Sequence, residues 1–147
     1  SLALFCDFIY ATPRSKFADP HVSVGLVAGD GGCVMWPQLI GYARAKKYLL
    51  TGEVMLAQDA LEMGLITEVY EEDQIDAEVQ QLAEKLRDGA KYAIRWTKTS
   101  INAGLKVMAN SIIDRAAAFE NVTQLMEDHK IALQAFSDKE KPRFKQK

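Results

Sequence analysis

Between Pro20 and Gly41 an apolar run, Val22, Val24, Leu26 and Val27, enters a loop carrying Gly29, Gly31 and Gly32, and an apolar segment without glycine follows. Glycine lets a backbone take positive φ and approach another group closely. A helix opening directly after such a loop aims free N–H groups and a partial positive charge at an acyl or phosphate oxygen. A tight turn with no ligand explains the same glycines, so both readings stand at this point.

The rest of the chain is ordered around that loop. Leu2–Cys6 reads as the end of a buried helix, and the aromatic and β-branched run Phe8–Ala11 as a buried strand. Thr12–Ser15 is a turn, Lys16–Ala18 an edge segment, and His21–Val24 a strand or extended loop. Helices are predicted over Gly32–Ile40, Gly41–Leu50 and Ala57–Met63, the last capped by Gly64, with a short strand over Leu65–Tyr70. Beyond Glu71 the pattern is helical. Ile75, Val79, Leu82 and Leu86 share one helix with Asp73 as its N-cap, and Ala93, Trp96, Ile101 and Leu105 mark a second. Ile112, Ala116, Phe119, Val122, Met126 and Leu133 recur with a period near 3.5. A long helix with one apolar stripe requires a partner surface, either another subunit or the rest of an intramolecular bundle. The organisation expected is a partial core over 1–70 and a helical region over 71–147.

Composition narrows the function classes. With 147 residues, 48% of them hydrophobic, the chain has enough apolar material for one ordinary core. A net charge of −2 supplies no basic field for nucleic acid. No apolar stretch approaches the roughly 18 residues of a membrane span, and no signal peptide is evident, so a cytoplasmic protein is expected. Cys6 and Cys33 are expected to be buried thiols rather than a disulfide. Two histidines in the whole chain offer no metal-ligand spacing, so no metal is expected.

Several motifs agree in order. Cys6-Asp7-Phe8-Ile9-Tyr10-Ala11 precedes Phe17-Ala18-Asp19-Pro20 and the glycine loop. Then come Leu49-Leu50-Thr51-Gly52, Ala57-Gln58-Asp59-Ala60, Gly64-Leu65-Ile66 and, near the end, Ala135-Phe136-Ser137-Asp138-Lys139. This succession resembles the enoyl-CoA hydratase/isomerase superfamily, the crotonase-like proteins, over nearly the whole chain. The resemblance implies an α/β chain, the C-terminal part of a crotonase-like β-spiral fold, ending in a helical region that packs subunits into a homotrimer or a dimer of trimers. It implies an acyl-CoA thioester as substrate, with coenzyme A entering as part of that substrate and no other cofactor. The expected chemistry is hydration or double-bond isomerisation through an enolate. The alternatives are a non-catalytic oligomerisation or CoA-binding module, and another enolate reaction such as hydrolysis or decarboxylation.

The resemblance also carries over residues. In the family two backbone amides stabilise the enolate oxygen, and both precede the position of Ser1. The family's first catalytic glutamate falls at Ser1 and its second, after a proline, at His21. An imidazole takes or gives a proton near neutral pH, and differs from a carboxylate in reach and charge. His21 is therefore either an acid/base group or a hydrogen-bonded loop residue. Some members place a catalytic aspartate in the glycine loop, at the position of Gly29. Asp30 stands one residue later, and either faces the thioester or caps the following helix. Pro20, Val24 and Gly29 are expected to line the substrate site. Phe136 and Lys139, on one face if the last helix extends that far, are expected at the adenine and phosphate end of coenzyme A.

Overall fold

The computed structural model describes residues 1–144. Four two-residue strands form two small sheets. β1 (Tyr10–Ala11) runs parallel to β4 (Glu68–Val69), with Tyr10 opposite Glu68 and Ala11 opposite Val69. β2 (Lys16–Phe17) runs antiparallel to β3 (Met55–Leu56). Between and after them lie six α-helices: α1 (Gly32–Ile40), α2 (Tyr42–Thr51), α3 (Ala57–Met63), α4 (Ile75–Asp88), α5 (Lys91–Gln124) and α6 (Glu127–Ser137).

The core gathers on α1. Val34, Met35, Trp36 and Ile40 are all buried, so this short helix is apolar on most of its circumference and is enclosed on most sides. Trp36 packs at a tilt on Tyr48 of α2, ring centroids 5.8 Å apart. Met55, Ala57, Ala60, Leu65 and Ile66 complete the cluster. Full burial of each large apolar side chain here stabilises by about 1.5–3 kcal/mol. α3 stops where Gly64 takes φ 80°. The Gly64 and Leu65 amides return to the carbonyls of Leu61 and Ala60, a paired closure that satisfies two helix-end acceptors.

Several stretches differ from the pattern reading. Leu2–Cys6 forms only a single 3-10 turn, Ala3–Phe5, and Cys6 is exposed, so it is not a buried thiol. His21–Val24 is also a 3-10 turn: the Ser23 and Gly25 amides bond back to Pro20 and Val22, and these local bonds replace the extended conformation that the Val22/Val24 alternation suggested. Asp73 is not the cap of α4; Gln74 precedes the helix and makes no side-chain cap bond. Acids in its first turn (Asp76, Glu78) and bases in its last (Lys85, Arg87) suit the helix dipole instead.

α5 is one unbroken helix of 34 residues where two were expected, and only Ala116 on it is buried. The apolar stripe from Ile112 to Leu133 does not stay on one rod. The chain turns at Leu125 and an extended Met126, and α6 folds back. Gly25 holds that return in place. A Cβ on it would lie 2.8 Å from the Asp128 carbonyl carbon and the His129 amide, so the first turn of α6 rests directly on its backbone. His129 Nδ1 donates to the Val24 carbonyl at 2.7 Å and fastens the same contact. No helix among the described residues is long and apolar enough to cross a membrane.

Candidate functional site

Pro20 breaks regular structure just before the His21 turn, and this places Asp19 and His21 side by side. Asp19 is the one buried charged residue among those described, 6% exposed, and its Oδ1 lies 2.6 Å from His21 Nδ1. A carboxylate oxygen accepts, so Nδ1 is the donor in this contact and Nε2 is the nitrogen turned away from Asp19. The second nitrogen faces two further acids: Glu120 Oε1 of α5 at 3.8 Å and Asp30 Oδ1 of the glycine loop at 4.0 Å. Asp30 also accepts from the Ser1 hydroxyl at 2.9 Å. It makes no cap bond to α1, whose N-cap is Gly31. Asp30 therefore does not cap α1, and it lies beside His21.

The loop glycines have a specific spatial role. A Cβ on Gly32 would run into Asp19 Oδ2, and a Cβ on Gly29 would meet Ala116 O and Glu120 Oε2 at 2.6 Å. Their missing side chains are the spaces occupied by Asp19 and by the α5 backbone with Glu120. The loop is pressed against protein on both sides, and Gly29, Gly31 and Gly32 are buried. Burial raises the Cys33 thiol pKa, and the nearby Asp19 and Asp30 charges raise it further.

Asp19, His21 and Asp30 each offer one donor atom, all within 4.8 Å of one another, the spacing and ligand types of a zinc-type site. Asp19 Oδ1 and His21 Nδ1 are engaged with each other in the 2.6 Å hydrogen bond.

The other expected site residues are dispersed. Val24 lies at the exposed end of the His21 turn, its carbonyl held by His129. Pro20 is exposed beside it. Phe136 and Lys139 do not share a helix face: α6 ends at Ser137, and Lys139 has left-handed backbone at φ 58°. Phe136 is 82% exposed, and neither residue lines the shallow groove of about 510 Å³ between Lys130 and Arg143. An apolar groove of about 740 Å³ is walled by Leu4, Ile9, Met35, Leu39, Ile101 and Leu105 among others, and no residue of the 29–32 loop takes part in it.

Two members of the cluster were not singled out by sequence. Asp19 was quoted only as part of a motif, although an acid two residues before a histidine is a signal for a paired ring nitrogen. Glu120 carries no local signal, because α5 brings it in from a distant part of the chain.

Residues 1–147 match the profile described as enoyl-CoA hydratase/isomerase. The chain belongs to the enoyl-CoA hydratase/isomerase family. It is 36% identical over 113 residues to a short-chain-enoyl-CoA hydratase of Clostridioides difficile, covering 77% of this chain and 73% of that protein. A crotonyl-CoA hydratase of Syntrophomonas wolfei is 32% identical over 147 residues, covering 97% of this chain and 55% of that protein. Among solved structures, an enoyl-CoA hydratase from Mycobacterium avium subsp. paratuberculosis superposes with a TM-score of 0.91 at 28% identity, over 99% of this chain and 59% of the other. An enoyl-CoA hydratase/isomerase from Pseudoalteromonas atlantica gives 0.90 at 28% identity, over 98% and 58%. The chain thus has crotonase-like fold neighbours, and spans little more than half the length of most of these relatives.

Proposed function

We propose that this enoyl-CoA hydratase/isomerase family chain contributes the acid/base side of a site that acts on an acyl-CoA thioester through an enolate, by hydration or double-bond isomerisation. The observation that carries the reading is the imidazole of His21, held by Asp19 with Nε2 toward Glu120 and Asp30. A group that exchanges protons near neutral pH, fixed in one orientation, is suited to moving a proton at carbon. Coenzyme A enters as part of the substrate and no separate cofactor takes part. Pro20, Val24 and Gly29 border the acyl end in this reading, and exposed Phe136 with Lys139 meets the nucleotide end.

Amides that stabilise the enolate oxygen are required as well, each worth about 2.7–4 kcal/mol in such sites. The greater length of the relatives leaves room for them outside these 147 residues. In this reading the chain is one part of a longer cytoplasmic protein, as its 55% coverage of the crotonyl-CoA hydratase favours, and sequencing the complete gene tests that. Exposed apolar residues along α5 and α6, among them Trp96, Ile101, Phe119 and Leu133, favour assembly into a trimer. Sedimentation of the full-length protein checks it.

The deciding experiment is turnover of crotonyl-CoA by the full-length protein, followed as loss of the conjugated thioester's ultraviolet absorbance. His21→Ala is expected to lower kcat at least about tenfold. Unchanged turnover removes His21 from the site. An intact wild-type protein that neither binds nor converts acyl-CoA leaves the oligomerisation module as the better reading.

A further inference from the structure

The reading above rests on the His21 imidazole, and assigns no separate task to the buried aspartate and the α5 glutamate that converge on the same ring. Each of these two acids sits where a loop glycine has no side chain: Asp19 beside Gly32, Glu120 beside Gly29. Asp19 is 6% exposed, and the side chains of His21 and Glu120 are 20% and 18% exposed, whereas that of Asp30 is 52% exposed. The three less exposed groups form a line from Asp19 Oδ1 to Nδ1 at 2.6 Å and from Nε2 to Glu120 Oε1 at 3.8 Å.

We propose that Asp19, His21 and Glu120 form one proton-transfer unit, in which Asp19 is the positioning residue that fixes the His21 tautomer and Glu120 is the second acid/base group. This rests on the acyl-CoA reading for its substrate, but its geometry is testable without one. Asp19 keeps the ring proton on Nδ1 and stabilises the imidazolium that forms when Nε2 accepts a proton. For a double-bond shift, Nε2 takes a proton from the substrate carbon and the C–H electron pair moves into the thioester carbonyl, giving the enolate. The acid form of Glu120 then delivers a proton to the other carbon as the enolate electrons return. Release of the Nε2 proton to solvent water and uptake of a proton from water by the Glu120 carboxylate reset the pair across their 3.8 Å gap, so no oxidant or other co-reactant is consumed. The more exposed Asp30, bonded to the Ser1 hydroxyl, is outside the relay.

Nitrogen-15 NMR of the histidine rings tests the unit directly. These 147 residues hold two histidines, whose signals are assigned by His21→Gln and His129→Gln substitution, and His129 is an internal control, since its Nδ1 donates to the Val24 carbonyl independently of Asp19. In the wild type, neutral His21 is expected with its proton on Nδ1. Asp19→Asn places an amide donor against Nδ1 and is expected to move the proton to Nε2, while the His129 signals stay in place. A wild-type ring with its proton on Nε2, or an Asp19→Asn spectrum in which His21 is unchanged, overturns the proposal. Loss of the His129 signature shows that the variant has not folded, and the wild-type tautomer then decides. Zinc titration of the wild type is the second arm: stoichiometric loss of the Nδ1 proton signal assigns the cluster to a metal and overturns the relay.

In the full-length protein, Asp19→Asn and Glu120→Gln are each expected to lower kcat about 100-fold or more with KM within about threefold. Asp30→Asn is expected to lower kcat far less than either. If Glu120→Gln retains wild-type kcat, Glu120 is not the second group. If the wild type turns over no acyl-CoA while the tautomer result holds, the substrate reading fails and the Asp19–His21 geometry stands.

Discussion

Adding one methyl group at Gly29 tests whether α5 is seated directly on the glycine loop. An alanine Cβ there would lie 2.6 Å from Ala116 O, 2.6 Å from Glu120 Oε2 and 2.8 Å from Glu120 Cβ. Ordinary carbon contacts begin near 3.5 Å, so the mismatch approaches 1 Å. The Glu120 carboxylate can swing away, but the Ala116 carbonyl is helix backbone and yields only if α5 retreats. Overpacking of this kind costs about 1–3 kcal/mol. A retreat would also stretch the 3.3 Å hydrogen bond that the Val27 amide donates to Thr123 Oγ1, worth about 0.5–1.5 kcal/mol. The sum is about 2–4 kcal/mol, a fall in Tm of about 5–15 °C for a chain of this size. Gly104→Ala is the matched control: it adds the same methyl inside α5 with nothing within 4 Å, and helix propensity predicts a gain of about 1 kcal/mol. Thermal unfolding followed by circular dichroism reads both. A Gly29→Ala protein that melts within about 1 °C of wild type refutes the close seating of α5 on the loop.

Other expectations follow from the same contacts. Gly64→Ala puts a side chain on left-handed backbone at φ 80° and should cost about 1–2 kcal/mol in urea unfolding. Leu65→Ala empties a fully buried site and should cost about 2–5 kcal/mol; a loss below 1 kcal/mol would mean the site collapses freely. Cys6, exposed, should react with a thiol reagent at neutral pH well before Cys33, whose pKa is raised by burial and by Asp19 and Asp30. The raised Cys33 pKa has a stability consequence. The unfolded thiol ionises first, so its contribution is present below the unfolded value and is lost as pH rises through the folded one. Cys33→Ser should flatten that alkaline decline, and an unaltered slope in unfolding experiments would remove Cys33 as its source.

Local chemistry alone marked much of this protein. The bounds of α1 lie where glycines bracket an apolar run, and Gly64 closes α3 as its position implied, because capping is decided within a few residues. His21 and Asp30 were visible as candidates because side chains able to exchange protons stood next to a glycine loop. Sequence could not show that Phe136 and Lys139 part company at the end of α6, nor that the stripe on α5 turns at Met126, since a periodic pattern continues smoothly through a break in the backbone.

Only the tertiary structure decided what the glycine loop is for. Gly29 and Gly32 leave space that other parts of the chain fill, with Glu120 arriving on α5 and Asp19 folding in behind the His21 turn. Backbone permissiveness is a property of the residue and can be read from its letter. Which atom enters the space left by a missing Cβ depends on how distant helices pack, and that is settled by the burial of the whole core.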